Sequence, residues 1–142
     1  MKKLENKVAV VTSSTKGIGL ATAELFAKHG AIVYLAARNE QLANDVIANI
    51  TKKGGTAKFV YFNAKEEHTY TSIIEEVVSN EGKIDILVNN YGGTDVRYDR
   101  DLVNGDTEHF FRIVKDNLQS VYLPSKSAVP HMIKNGEGSI AN

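Results

Sequence analysis

Four short runs of apolar residues, rich in β-branched and aromatic types, recur at nearly regular intervals through the first 90 residues. They begin at residues 8, 32, 59 and 84, so that successive starts are 24, 27 and 25 residues apart. Each interval has room for one strand, one helix and two short loops. Strands that are apolar along their whole length are typical of a parallel sheet covered on both faces. The spacing therefore predicts an α/β fold built on a doubly wound parallel sheet.

The segments between these runs have the spacing of amphipathic helices. Each ends at a glycine, at position 30, 54 or 82, where a helix can stop. The apolar stripes predicted to face the sheet are Ala21, Leu25 and Phe26 in the first segment, Leu42, Val46 and Ile50 in the second, and Ile73, Ile74, Val77 and Val78 in the third.

The pattern changes after the fourth run. Residues 89–106 show no period and predict a long loop, of the kind that often carries function. Asp106 or Thr107 can cap the long helix that follows, and Pro124 and Pro130 are expected to kink or divide it near its end. The predicted apolar face of this helix holds Phe110, Val114, Leu118, Val121 and Tyr122.

Composition excludes several classes of protein. Seventeen basic and seventeen acidic residues cancel, which disfavours nucleic acid and anionic membranes as partners. The absence of cysteine excludes disulfide scaffolds and thiolate nucleophiles, and the four histidines lack metal-ligand spacing, so we predict no metal site. The longest apolar run, residues 31–37, is too short to cross a bilayer. We expect a soluble, cytoplasmic protein that acts on a small molecule.

The first apolar run leads directly into a turn that contains glycines, and a helical segment follows. Such a turn lets backbone N–H groups approach a pyrophosphate, and the helix N-terminus favours its negative charge. The place of the turn in a series of strand–helix units strengthens this interpretation over a plain connecting turn. The residues predicted to bind a dinucleotide here are Ser13, Ser14, Thr15, Lys16, Gly17, Ile18 and Gly19.

The end of the second run indicates which dinucleotide binds. An NAD site has an acidic residue there, about 20 residues past the glycines, to hold the ribose 2′-hydroxyl. This chain has Arg38 instead, and a guanidinium pairs well with a 2′-phosphate. With Lys16 as a second positive charge, the sequence predicts NADP(H); a merely solvated arginine is the alternative.

These segments together resemble the short-chain dehydrogenase/reductase family. The turn is similar to the family's TGxxxGxG loop, with Ser13 at the first glycine position. Leu87–Gly92 is similar to the strand end with the NNAG motif, with Tyr91 in place of alanine. Asp116–Tyr122 is similar to the helix that carries the asparagine of the catalytic tetrad, and residues 138–140 to the start of the strand before the catalytic serine.

The resemblance covers the whole chain and implies a Rossmann-type sheet. It makes residues 1–142 the N-terminal dinucleotide-binding part of a single dehydrogenase domain, with five strands and an end at the fifth. It also implies Asn117 as a catalytic residue and Thr94 as a residue that borders the substrate. The further cofactor contacts that it implies are Asn63 and Ala64 at the adenine, and Asn90, Tyr91 and Gly92 after the fourth strand.

The implied reaction is hydride transfer between nicotinamide C4 and a secondary alcohol or ketone. The segments Val11–Gly17, Phe59–Asn63 and Asn90–Gly93 also resemble those of the bacterial NADP-dependent 7α-hydroxysteroid dehydrogenases, which implies the 7α-hydroxyl of bile acids. The family's catalytic Ser, Tyr and Lys follow the fifth strand, so we expect this chain to be inactive by itself. Tyr122 and Lys126 have the family's Tyr-x-x-x-Lys spacing, which we interpret as coincidence. The family also implies a homodimer or homotetramer for the longer protein.

Two other classes of protein share parts of this pattern. A non-catalytic NADP(H)-binding or sensor module would share the loop and Arg38. A phosphoacceptor receiver domain has a similar length and a doubly wound sheet, but it needs acidic residues where the early strands end. Thr12, Arg38 and Asn63 occupy those positions, so the receiver interpretation is disfavoured.

Overall fold

Strands and helices alternate along the chain in the computed structural model, which describes all 142 residues. The sheet has five parallel strands in the order β3-β2-β1-β4-β5. The strands are β1 (Val8–Thr12), β2 (Ile32–Ala37), β3 (Thr56–Tyr61), β4 (Ile86–Val88) and β5 (Ser139–Ala141), and the helices are α1 (Gly17–Lys28), α2 (Glu40–Lys52), α3 (Thr69–Glu81) and α4 (Thr107–Asn135). The predicted Rossmann-type α/β fold is confirmed.

The strand order reverses direction at β1. The chain adds β2 and β3 on one side of β1 and then crosses to place β4 and β5 on the other. In open parallel sheets, ligands bind in the crevice outside the carboxyl ends of the strands at such a reversal. Thr12 lies opposite Ala36 of β2, and Val11 lies opposite Val88 of β4. The turns after β1, β2 and β4 therefore emerge at the same edge.

The core lies on both faces of the sheet. Neighbouring residues of a strand point to opposite faces, so Val10 packs with α3 and α4 residues such as Ile73, while Val11 packs with α1 and α2 residues such as Ala23 and Ile50. Strand β1 is buried along its whole length, and β2 is buried after its first residue. This two-sided burial explains why their sequences are continuously apolar.

The stripe predicted for α1 is wrong at Ala21 and Leu25 but correct at Phe26, which is half-buried against the core. Leu25 is 53% exposed and Ala21 is also exposed, whereas the buried residues are Gly19, Ala23 and Ala27. Small residues let a helix backbone approach the sheet closely, and here they form the packed side. The stripe of α2 is wrong only at Leu42, which is exposed beside buried Ala43. The stripe of α3 is confirmed.

Helix α4 runs for 29 residues through both prolines. Of the predicted kink or division, the division is therefore wrong. Its N-terminus is capped by Asp106, whose carboxylate accepts the His109 N–H at 2.6 Å. The apolar residues predicted to share one face of this helix are largely uncovered: Phe110, Leu118 and Tyr122 are more than half exposed. The side that meets the rest of the fold holds Ser120, Pro124, Ala128 and Met132. Neither α4 nor any other helix is long and apolar enough to cross a membrane.

The amino ends of three strands are joined through Asp85, which is buried. Its carboxylate accepts the Val8 N–H at 2.8 Å and pairs with Lys83 Nζ at 2.8 Å. Its backbone N–H donates to the Val8 carbonyl, and its carbonyl accepts the Ser139 N–H, each at 2.9 Å. This residue therefore helps to set the register of β1, β4 and β5.

Candidate functional site

The turn between β1 and α1 presents an open helix N-terminus at the reversal of strand order. The first α1 backbone N–H with an acceptor is that of Leu20, which donates to the Lys16 carbonyl at 3.2 Å, and no side chain caps the helix. The N–H groups of Gly17, Ile18 and Gly19 therefore have no acceptor in the chain. Free amide groups and the positive end of the helix dipole make such a terminus an anion site.

Gly19 makes this turn compact. A Cβ at this position would lie 2.4 Å from the Ser13 carbonyl oxygen and 2.6 Å from Asn90 Nδ2, so only glycine fits. Asn90 Nδ2 donates to that same carbonyl at 3.2 Å. The start of α1, the turn and the end of β4 therefore meet at one point.

Two serines of the turn have unusual environments. Ser13 adopts a φ of +54°, in the left-handed region that favours glycine. Ser14 is fully buried, and its hydroxyl has no hydrogen-bond partner. A buried polar group without a partner is costly, so the Ser14 hydroxyl is a donor that a phosphate in the turn would satisfy.

Thr12 is a part of the site that sequence reasoning missed. Its Oγ1 accepts the N–H groups of Asn90 and Tyr91 at 3.0 and 2.9 Å, and it donates to the Val88 carbonyl at 3.4 Å. It thereby holds the segment after β4 against the end of β1. The available signal was a polar residue at the end of an otherwise apolar strand.

Asn117 lies against the segment after β4. Its Oδ1 accepts the Gly93 N–H at 3.0 Å, and its Nδ2 donates to the carbonyls of Gly93 and Ile113, each at 2.8 Å. A Cβ on Gly92 would lie 3.0 Å from Asn117 Oδ1. The amide of Asn117 therefore fixes the backbone of the long loop where the loop begins.

A cleft of about 370 Å³ opens outside the ends of β2 and β3. Arg38 is exposed on its wall and forms no ion pair within the chain. Asn63 is half-buried, and its Nδ2 donates to Glu66 Oε1 at 2.8 Å. Hydrogen bonds from Tyr61 and Asn63 lower the pKa of Glu66. The predicted cofactor residues that this cleft brings together are Ser13, Thr15, Lys16, Arg38, Asn63, Ala64 and Tyr91.

A second cleft, of about 580 Å³, adjoins the first and shares Tyr91 and Ala64 with it. Thr94 and Asn117 line this second cleft, and the Thr94 hydroxyl donates to Asp99 Oδ2 at 2.6 Å. Burial and the nearby Asp116 carboxylate raise the pKa of Tyr91, which Arg38 partly opposes. The predicted substrate-side and cofactor-side residues therefore lie in neighbouring clefts.

Tyr122 and Lys126 lie elsewhere on the molecule. Both are exposed on α4, with Lys126 Nζ 5.6 Å from the centre of the Tyr122 ring. Neither residue lines the two clefts. No group of three or more His, Cys, Asp or Glu side chains is placed to hold a metal ion.

The geometry fits a phosphorylated dinucleotide at this edge of the sheet. The free N–H groups of α1, the unpartnered Ser14 hydroxyl and the close approach that Gly19 allows suit a pyrophosphate. The unpaired Arg38 and the neighbouring Lys16 suit a further phosphate in the cleft beside them.

Comparison with known proteins gives consistent matches. The short chain dehydrogenase family model matches residues 7–142. A 7alpha-hydroxysteroid dehydrogenase of Clostridium sardiniense is 69% identical over 142 residues, which are 100% of this chain and 54% of that protein. A protein of the same name from Paraclostridium sordellii is 48% identical over 142 residues, 100% of this chain and 53% of its own length.

Solved structures agree in fold. A metagenomic short-chain oxidoreductase in complex with NADP superimposes with a TM-score of 0.86 at 29% identity, covering 96% of this chain and 61% of its own. A short-chain type dehydrogenase/reductase from Mycobacterium marinum gives the same TM-score and identity and is covered to 55%. The chain spans about half the length of the relatives that it matches.

Proposed function

Because this chain belongs to the short-chain dehydrogenase family, we propose that residues 1–142 are the N-terminal dinucleotide-binding part of a single NADP(H)-dependent dehydrogenase domain. One observation carries the proposal: the turn before the open α1 N-terminus and an unpaired arginine at the end of β2 line the same cleft. Full-length alignment of the chain with about half of a hydroxysteroid dehydrogenase supports the proposed domain organisation.

The turn is proposed to hold the pyrophosphate. The backbone N–H groups of Gly17, Ile18 and Gly19 donate to it, and the hydroxyl groups of Ser13, Ser14 and Thr15 are further donors beside them. Backbone donors at a helix N-terminus need no counterion, because the helix dipole favours the negative charge. Asn90 supports the turn through the Ser13 carbonyl.

The preference for NADP(H) over NAD(H) is proposed to come from Arg38. Its guanidinium has no carboxylate partner in the chain, so pairing with a 2′-phosphate breaks no existing ion pair. Charge-assisted hydrogen bonds contribute roughly 1.5–3 kcal/mol. Lys16 lines the same cleft and adds a second positive charge.

The adenine is proposed to lie against Asn63 and Ala64. The Asn63 side chain offers a carbonyl and an amide group to the polar edge of a base, and the Ala64 N–H has no backbone acceptor. The segment Asn90, Tyr91 and Gly92 is proposed to pass the cofactor at the reversal of strand order, with Tyr91 lining the same cleft.

When bound, the nicotinamide cofactor supplies hydride chemistry at its C4 atom. Asn117 is proposed as the asparagine of the family's catalytic set. It holds Gly93 through two hydrogen bonds and so fixes the start of the loop that borders the reacting end. Thr94, the next residue, is proposed to face the substrate. Preorganised positioning of this kind is a general contribution to catalysis.

The proposed substrate is a secondary alcohol or its ketone. The name of the relatives favours the 7α-hydroxyl of a steroid, which we propose is a bile acid. We propose that turnover belongs to a longer polypeptide and that the 142-residue chain has none by itself. Two pairs have the Tyr-x-x-x-Lys spacing, Tyr61 with Lys65 and Tyr122 with Lys126. Support comes from the two tyrosines, neither of which lines either cleft. Oxidation of a 7α-hydroxy bile acid by the purified chain would contradict this. We also propose that the protein is located in the cytoplasm.

Self-association into a homodimer or homotetramer is proposed through α4. Its exposed side chains Phe110, Leu118 and Tyr122 form an apolar face of the kind that marks an interface. We expect sedimentation velocity to show oligomers that Leu118→Lys shifts toward monomer. Unchanged sedimentation of that variant would show that this face does not form the interface between copies of the chain.

The cofactor proposal is tested by Arg38→Asp, with Arg100→Asp as a matched control that removes an exposed arginine outside both clefts. Calorimetric titration with NADPH and NADH gives the preference of each protein. We expect Arg38→Asp to lower the NADPH/NADH preference by about tenfold or more and Arg100→Asp to leave it unchanged. An unaltered preference in Arg38→Asp would refute the assignment of the 2′-phosphate site.

A further inference from the structure

Tyr91 is a large aromatic residue at the boundary between the two clefts. Its backbone is held from two sides. The N–H donates to Thr12 Oγ1 at 2.9 Å, and the carbonyl accepts the Ser120 hydroxyl at 3.3 Å. Because β1 and α4 both fix the backbone, the fold sets the point from which the side chain projects.

The ring of Tyr91 rests on a series of buried aromatic side chains. It meets Phe62 edge to face, with ring centres 5.8 Å apart and planes at 77°. Phe62 in turn meets Tyr70 at 5.2 Å and 70°. Phe62 and Tyr70 are buried, whereas Tyr91 is half-buried. Edge-to-face packing of this kind fixes the ring, so its remaining surface is a rigid apolar wall.

The wall lines a cleft that also holds polar groups suited to the edge of a flat base. Asn63 and Ala64 line the same cleft as Tyr91, and Arg38 and Lys16 line it farther along. The Tyr91 hydroxyl makes no hydrogen bond within the chain, so the fold does not require tyrosine there for its own network. A site with an aromatic face and polar donors and acceptors at its edge matches a heteroaromatic base.

We propose that the Tyr91 ring packs against the adenine base of bound NADP(H) and makes this end of the site selective for a purine. The inference rests on the proposed NADP(H) function and deepens it, because it assigns base recognition to one side chain. Replacing an aromatic residue that stacks on a base weakens binding by about 5- to 150-fold.

The test uses adenosine 2′,5′-bisphosphate and uridine 2′,5′-bisphosphate, which share the phosphates and differ in the base. Calorimetric titration compares wild type with Tyr91→Ala, Tyr91→Leu and Tyr91→Phe, and Tyr98→Ala serves as a matched control on an exposed tyrosine outside both clefts. We expect Tyr91→Ala and Tyr91→Leu to lose about fivefold or more in adenosine affinity and most of the adenosine/uridine preference. We expect Tyr91→Phe and Tyr98→Ala to retain both.

The base preference separates recognition from a structural effect. If Tyr91 only supported the fold, both ligands would weaken equally, and the inference would be overturned. It would also be overturned if both Tyr91→Ala and Tyr91→Leu matched wild type. Tyr91→Leu keeps an apolar contact with Phe62, so it remains informative should Tyr91→Ala unfold. Failure of the wild-type chain to bind NADPH would instead refute the proposed function itself.

Discussion

Replacing Gly19 by alanine should disrupt the turn between β1 and α1. The added Cβ would lie 2.4 Å from the Ser13 carbonyl oxygen, 2.6 Å from Asn90 Nδ2 and 3.0 Å from the Ser14 Cα. Two of these three atoms belong to the backbone, so relief requires the turn and helix to separate. That movement also breaks the hydrogen bond from Asn90 Nδ2 to Ser13.

The expected net effect is a loss of about 1–3 kcal/mol in the free energy of unfolding. Overpacking costs about 1–3 kcal/mol, and the lost hydrogen bond costs about 1 kcal/mol. Alanine regains about 1 kcal/mol over glycine through helix propensity. For a chain of this size, the loss corresponds to a fall in Tm of roughly 2–4 °C per kcal/mol.

Differential scanning calorimetry of wild type, Gly19→Ala and Gly93→Ala measures this effect. A Cβ on Gly93 would meet nothing within 4 Å, so that variant is the matched control and should unfold near the wild-type Tm. NADPH affinity should fall in Gly19→Ala, because the α1 N–H groups move. A Gly19→Ala protein with unchanged Tm and unchanged NADPH affinity would refute the close packing of turn, helix and β4.

Three further perturbations test other parts of the structure. Ser13→Gly relieves a φ of +54° and should raise stability by up to about 1 kcal/mol; a lower Tm would show that the turn does not strain serine. Asp85→Ala leaves the buried Val8 N–H without its acceptor and should cost about 2–3 kcal/mol in urea unfolding, whereas Asp45→Ala, at an exposed helix position, should be nearly neutral. Hydrogen bonds from Lys58 and Tyr34 lower the pKa of Glu81 below 4.5. Its contribution to stability is therefore present at neutral pH and lost as the pH falls through that lowered pKa. Glu81→Gln should make the fall of Tm in acid less steep. An equally steep fall would exclude the interactions of Glu81 with Lys58 and Tyr34 as a cause of acid destabilisation.

The sequence predicted the sheet well because a parallel sheet covered on both faces requires a recognisable sequence pattern. Central strands such as β1 and β2 must be apolar throughout, and the interval between runs leaves room only for a helix. The same topology explains the site. Residues that follow different strands, such as Lys16, Arg38 and Asn63, are remote in sequence but emerge at one edge. Their convergence could be predicted without any knowledge of the loops.

The errors in the predicted helix faces arose where side-chain size or apolar periodicity does not indicate which residues are buried. Helix α1 packs through Ala23 and Ala27, and a search for large apolar residues selects Leu25 on the opposite side. In α4, the spacing showed an apolar face but not what covers it, and Phe110 and Leu118 are exposed.

Contacts that depend on loop geometry were also beyond sequence reasoning. The pairing of Asn117 with Gly93 requires the long loop to return to α4. The brace that Thr12 gives to Tyr91 requires the register of β1 against β4. Neither arrangement leaves a spacing pattern that could be read in advance.

The central claim is that the carboxyl edge of this sheet binds NADP(H), and titration of the wild-type chain with NADPH and with NADH tests it most directly. The open α1 N-terminus and the unpaired Arg38 predict saturable binding of both, with NADPH bound about tenfold tighter or more. Absence of saturable binding to a folded chain would contradict the dinucleotide site. Equal affinity for the two cofactors would contradict the role of Arg38.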